Sequence, residues 1–209
     1  MKLIILFAVI SLCLSIGKPP RIVFFAQSKC RDTMRFVANE IPRLLNHPSK
    51  DFLFDSIKVV WAGKTVELPD STEGNRKFQC TYGKDECYGN LLLNSYQSLT
   101  DLNEWDFYSC LGPKVIDEFD TGYVNFNLLA TLCTPRNIDF IRLLAVANDK
   151  TKGPEYFHDA VISTPDVHGY VPYFYFDDDH SSIFNDSIQQ DSVKFLCKYT
   201  YNDGKVPGC

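Results

Sequence analysis

Three observations in the 209-residue sequence predict an α/β protein with a thioredoxin-like fold and a disulfide-stapled helical insertion. The first is a strand–helix–strand unit near the amino terminus with a cysteine where the helix begins. The second is a long middle stretch of helical pieces that holds four cysteines. The third is a strand–turn–strand–helix ending.

The first strand is Arg21 to Ala26, a compact run of β-branched and aromatic residues. Cys30 follows, and then Met34, Val37, Ile41 and Leu44 recur at helical spacing as one apolar face. Pro42 inside that pattern predicts a kink or break near Ile41. Ser56 to Trp61 reads as a second strand, parallel to the first by the usual crossover. Thr65 to about Phe78 is polar and rich in turn formers and reads as a long loop. The helical insertion is expected over about 78–165, within one domain spanning 18–209. Val171 to Phe176 reads as a third strand, Asp177 to His180 as a turn, and Ser182-Ile183-Phe184 as a short fourth strand. A last helix is expected from Ser187, whose spacing to Gln190 suits a capping box.

Residues 1–17 read as a cleaved signal peptide: a basic start, an apolar run from Leu3 to Ile16, and small residues at Ser15 and Gly17. The run is too short for a membrane span, which needs about 20 apolar residues. The expected location is therefore secreted or lysosomal, with no membrane span. The formal charge of −5 becomes −6 once Lys2 is removed, and basic residues are scattered, so nucleic acid is excluded as a partner.

Cys13 leaves with the signal peptide, so seven of the eight cysteines remain. An oxidising compartment favours pairing, yet an odd number leaves one unpaired within the chain. Cys30 is the candidate. At a helix start, free backbone N–H groups and the helix dipole favour an anion, and the thiolate is the attacking species in disulfide exchange. An ordinary disulfide at Cys30 is the plainer alternative. A two-cysteine reductase carries a second thiol one helical turn later, where this chain has Thr33. Thr33 cannot attack sulfur, but its hydroxyl is placed to hydrogen-bond the Cys30 thiolate. Val171-Pro172 is the second candidate element. In thioredoxin-like proteins a cis proline stands opposite the active cysteine, and the adjacent backbone holds the substrate peptide.

The stretch Cys80-Thr81-Tyr82-Gly83-Lys84-Asp85-Glu86-Cys87-Tyr88-Gly89-Asn90 resembles the signature of the gamma-interferon-inducible lysosomal thiol reductases. Cys80, Gly83, Glu86, Cys87 and Asn90 match it, Thr81 and Tyr82 replace its Gln-His pair, and Ser95 stands where a further cysteine belongs. Arg35-Phe36, Val171-Pro172, Phe195-Leu196-Cys197 and Pro207-Gly208-Cys209 extend the resemblance. It implies reduction of protein disulfides at acid pH, with Cys30 as nucleophile and Thr33 as a degenerate resolving position. Setting Cys30 aside, Cys80, Cys87, Cys110, Cys133, Cys197 and Cys209 suffice for three structural disulfides, with fifteen pairings open.

Other features read as bland. Asp177 to His180 is a solvated turn, and His47, His158 and His168 are isolated, so no metal site is expected. Asn185-Asp186-Ser187 is an N-glycosylation sequon, expected to be exposed beside a helix start. The favoured function is a thiol–disulfide oxidoreductase acting through Cys30 on disulfide-containing proteins, without cofactor. The alternative is a secreted binding protein that has lost catalysis and contacts another protein or a cell surface. Covalent capture of a partner through Cys30 lies between the two.

Overall fold

In a computed structural model, the structure describes residues 22–55, 57–164, 170–176, 182–200 and 208. Residues 1–17, read as a signal peptide, residues 177–180, read as a turn, His168 and Cys209 lie outside the described residues.

The chain forms a mixed α/β fold, mostly helical, around a small sheet. Strand β1 (Ile22–Ala26) pairs in parallel with β2 (Ile57–Trp61), Ile22 opposite Ile57 and Ala26 opposite Trp61. Between them run helices α1 (Arg31–Leu45) and α2 (Lys50–Asp55). A short antiparallel hairpin, β3 (Val66–Glu67) and β4 (Phe78–Gln79), brackets the stretch read as a long loop. The middle of the chain is helical: α3 (Lys84–Gln97), α4 (Glu104–Glu118), a 3₁₀ turn (Phe119–Thr121), α5 (Phe126–Cys133), α6 (Asn137–Ala147) and α7 (Lys152–Ser163). Strand β5 (Tyr173–Phe176) returns antiparallel to the other side of β1, giving the order β2-β1-β5. Helices α8 (Ser182–Gln190) and α9 (Ser192–Phe195) and a π-helical turn (Leu196–Thr200) complete the described chain.

The alternation of the strands divides the core in two. Ile22, Phe24 and Ala26 face α1 and α4, where Met34, Val37, Ile41, Leu44, Tyr108 and Leu111 are buried. Phe24 stacks on Phe174 across the strand pair with ring centroids 4.6 Å apart. On the opposite face Phe25, Val60 and Tyr173 pack on Phe157 and Ala160 of α7.

Both outer strands are closed by side-chain amides from helices rather than by further strands. Asn94 of α3 donates to the Trp61 carbonyl at 2.7 Å and accepts from the Trp61 N–H at 3.4 Å. Gln97 donates to the Val59 carbonyl at 3.1 Å. On β5, Asn185 accepts from the Phe174 N–H at 2.6 Å and donates to its carbonyl at 3.2 Å. An open edge would otherwise present unpaired backbone groups.

This geometry corrects three expectations. Ser182-Ile183-Phe184 is not a fourth strand but the first turn of α8, which therefore begins before Ser187. Asn185 is not an exposed sequon: it is 0% exposed, because its amide is used to close the β5 edge. The break expected at Ile41 is also absent. Pro42 sits in the last turn of α1, whose end falls at Asn46, where the backbone N–H donates to the Pro42 carbonyl at 3.1 Å.

Two disulfides are complete among the described residues. Cys80–Cys87 ties the turn before α3 to its first turn, and Cys110–Cys133 joins α4 to the end of α5. Cys197 is disulfide-bonded as well.

Candidate active site

Strand β1 ends at Ala26, and four residues carry the chain to α1. The Cys30 N–H donates to the Gln27 carbonyl at 3.1 Å, closing a tight turn. Cys30 is then the N-cap of α1 in an extended conformation, and its carbonyl accepts from the Met34 N–H at 3.0 Å. Its thiol is the free cysteine among the described residues. The side chain is buried, 7% exposed, and Sγ donates to the Val171 carbonyl oxygen at 3.4 Å. The Val171–Pro172 peptide bond is cis. The fold thus brings Cys30 and Val171-Pro172 together from positions about 140 residues apart in the chain.

Thr33 lies one turn into α1, fully buried, and its hydroxyl has no hydrogen-bond partner. The expected hydrogen bond from Thr33 to the Cys30 sulfur is not formed, which is a correction.

The loop before Cys30 is fastened to α3. Gln27 donates through Nε2 to Glu86 Oε1 at 2.5 Å. The Ser28 N–H donates to Asn90 Oδ1 at 2.8 Å, and the Ser28 hydroxyl to the Glu86 carbonyl at 3.1 Å. Lys29 pairs with Asp85 and donates to the Gly122 carbonyl at 3.2 Å, bringing in the 3₁₀ turn after α4. Arg31 lies over the Phe119 ring at 5.4 Å and contacts Asp120 at 3.2 Å. Gly89 allows this approach: a Cβ there would come within 2.5 Å of both Ser28 Oγ and a Phe126 ring carbon.

Glu86 is 0% exposed, and burial pushes its carboxyl above the usual glutamate range. Hydrogen bonds from the Tyr82 N–H, Gln27 and Asn90 act the other way, and the like charge of Asp85 adds to the rise. Tyr82 sits in the turn before α3, about half exposed. Partial burial raises its phenol above the ordinary tyrosine range, and negative charge at Cys30, Glu86 and Asp32 acts in the same direction. No group of three potential metal ligands converges among the described residues.

Sequence reasoning gave Glu86 and Asn90 no task. The usable signal was spacing: Glu86, Asn90 and Asn94 recur every four residues on α3, and all three are buried. A polar stripe at helical spacing, facing inward, marks a set of hydrogen bonds to neighbouring backbone. Gln27 and Ser28 carried no comparable mark.

Fold and site define a disulfide-stapled α/β protein with a free thiol at a helix start. Residues 21–119 match the family described as Gamma interferon inducible lysosomal thiol reductase (GILT). That match supports membership of the gamma-interferon-inducible lysosomal thiol reductase family. The span runs from β1 to the end of α4 and takes in Cys30, the Cys80–Cys87 pair, Glu86 and Asn90, while Val171 and Pro172 lie beyond it. No curated protein matches the chain. The family is one of thiol reductases, so oxidoreductase chemistry on disulfides is the general activity it supports. No helix among the described residues is long and apolar enough to cross a membrane.

Proposed function

We propose that this chain is a secreted or lysosomal thiol–disulfide oxidoreductase with a thioredoxin-like domain over 18–209, a helical insertion over about 78–165, and Cys30 as its sole nucleophile. Supporting this reading is one observation above the rest: a free Cys30 at the start of α1 with Sγ 3.4 Å from the Val171 carbonyl. The Cys30 thiolate attacks one sulfur of a substrate disulfide. A new bond joins Cys30 to that sulfur, and the other sulfur leaves as a thiolate and takes up a proton. Thr33 cannot complete the cycle, so an external small thiol attacks the mixed disulfide and frees Cys30. A second small thiol then displaces the substrate sulfur from the first, leaving the substrate reduced and two small thiols joined. The backbone beside Val171 and Pro172 holds the substrate segment.

The test compares wild type with Cys30→Ser on a disulfide-linked protein substrate with added small thiol at acid pH. Turnover should fall to the uncatalysed rate in the variant. Equal rates would remove catalysis from the account.

A second reading is a binding protein that keeps the fold without turnover. The burial of Cys30, together with Thr33 one turn away, favours it. Resistance of Cys30 to alkylation in the native protein is the outcome it expects.

A further inference from the structure

The connection from Gln27 to Cys30 decides where the thiol sits, and Glu86 is the hub of its fastening. Glu86 Oε1 accepts from Gln27, and Oε2 accepts from the Tyr82 N–H, each at 2.5 Å. The Glu86 carbonyl accepts from the Ser28 hydroxyl at 3.1 Å, and Asn90, one turn on, accepts from the Ser28 N–H. These partners are neutral donors. A buried carboxylate so placed is costly if packing is its only task. Three donors converge on its two oxygens, however, Gln27 and, at 3.5 Å, Asn90 on Oε1 and the Tyr82 N–H on Oε2, so each oxygen has to accept. A glutamine meets that requirement only if the Gln27 amide is reversed.

We propose that Glu86 is a positioning residue for Cys30, holding the loop that carries the thiol in register with the half-exposed Tyr82 turn beside it. The proposal rests on the reading of Cys30 as nucleophile. Disulfide exchange needs three sulfurs in line and is sensitive to placement, whereas alkylation by a small reagent needs only access.

Glu86→Ala in the full chain tests it, with three readouts: mixed-disulfide formation with a cystine-bridged peptide, alkylation of Cys30 by iodoacetamide, and Tm. Exchange should fall about ten- to a hundred-fold while alkylation stays within about three-fold of wild type. Glu86→Gln should restore most of the exchange rate through a reversed Gln27. Asp139→Ala removes a buried carboxylate that accepts hydrogen bonds from Arg136 and Arg142. It should lower Tm without changing the ratio of exchange to alkylation. If Glu86→Ala does not fold, Gln27→Ala removes the same tie from the loop side. An unchanged ratio in both variants overturns the proposal while leaving the Cys30 reading in place. A wild-type Cys30 inert to both reagents overturns the two together.

Discussion

Thr33 carries a hydroxyl that is wholly buried and has no partner. A buried hydroxyl left without a partner costs about 1–3 kcal/mol, so removing it should stabilise the fold. Thr33→Val is therefore expected to raise Tm, by about 2–4 °C per kcal/mol recovered for a chain of this size. A fall in Tm on calorimetry would mean that the hydroxyl is bonded after all. Thr33→Cys replaces the same group by a thiol one turn from Cys30 and should raise turnover with small thiols, since an internal resolving thiol acts at high effective concentration. A well-folded Thr33→Cys protein without gain would show that the site is not arranged for exchange. The place of Cys30 at a helix start was legible because strand, cysteine and helix adjoin in the chain. The isolation of the Thr33 hydroxyl was not, because it depends on what other elements bring near.

Each edge of the sheet ends in an asparagine, Asn94 against Trp61 and Asn185 against Phe174. One amide can copy the donor and acceptor of a strand residue, so a helix closes the edge where a strand otherwise would. This explains why the ending of the chain was misread. Ser182 to Phe184 has the apolar content of a short strand, but β5 already has its outward partner in Asn185, which projects from a helix. The strands β1, β2 and β5 were legible because short, mostly buried runs of β-branched and aromatic residues have few other readings. The sequon at Asn185 is likewise a matter of residue types whose exposure only tertiary structure decides. Peptide mass spectrometry of the folded protein, expressed through a secretory pathway, should find Asn185 unmodified, since a glycan there would forfeit the edge. Asn185→Ala leaves the Phe174 N–H and carbonyl unpaired and should cost about 1–3 kcal/mol in urea denaturation. A glycan on Asn185 in folded protein, or an Asn185→Ala variant as stable as wild type, would refute this account of the β5 edge.

Across the whole molecule, buried and paired carboxylates pull stability in opposite directions with pH. Asp139, held by Arg136, and Glu67, held by Ser71, have carboxyls lowered from their ordinary range, and hydrogen bonds from Lys152 and Thr151 bring Asp149 to about 2. Their stabilisation is present above the unfolded-state value and is lost as pH falls through the lowered folded value. Glu86 and Glu104 are raised, chiefly by burial. Their contribution is fully present below the unfolded value and is lost as pH rises through the raised folded one. Acidification from pH 7 toward the ordinary glutamate value of 4.5 therefore relieves Glu86 while still sparing most of the lowered carboxylates. An acidic lumen, the compartment proposed here, is the setting in which a buried Glu86 is tolerated best. Glu86→Gln removes that titration. Urea midpoints of wild type and variant at pH 7 and pH 4.5 should show a smaller gain, or a larger loss, on acidification in Glu86→Gln. Equal midpoint changes in the two proteins would mean that Glu86 keeps the same protonation state at both pH values, and that the burial of this carboxyl does not shape the acid response of the fold.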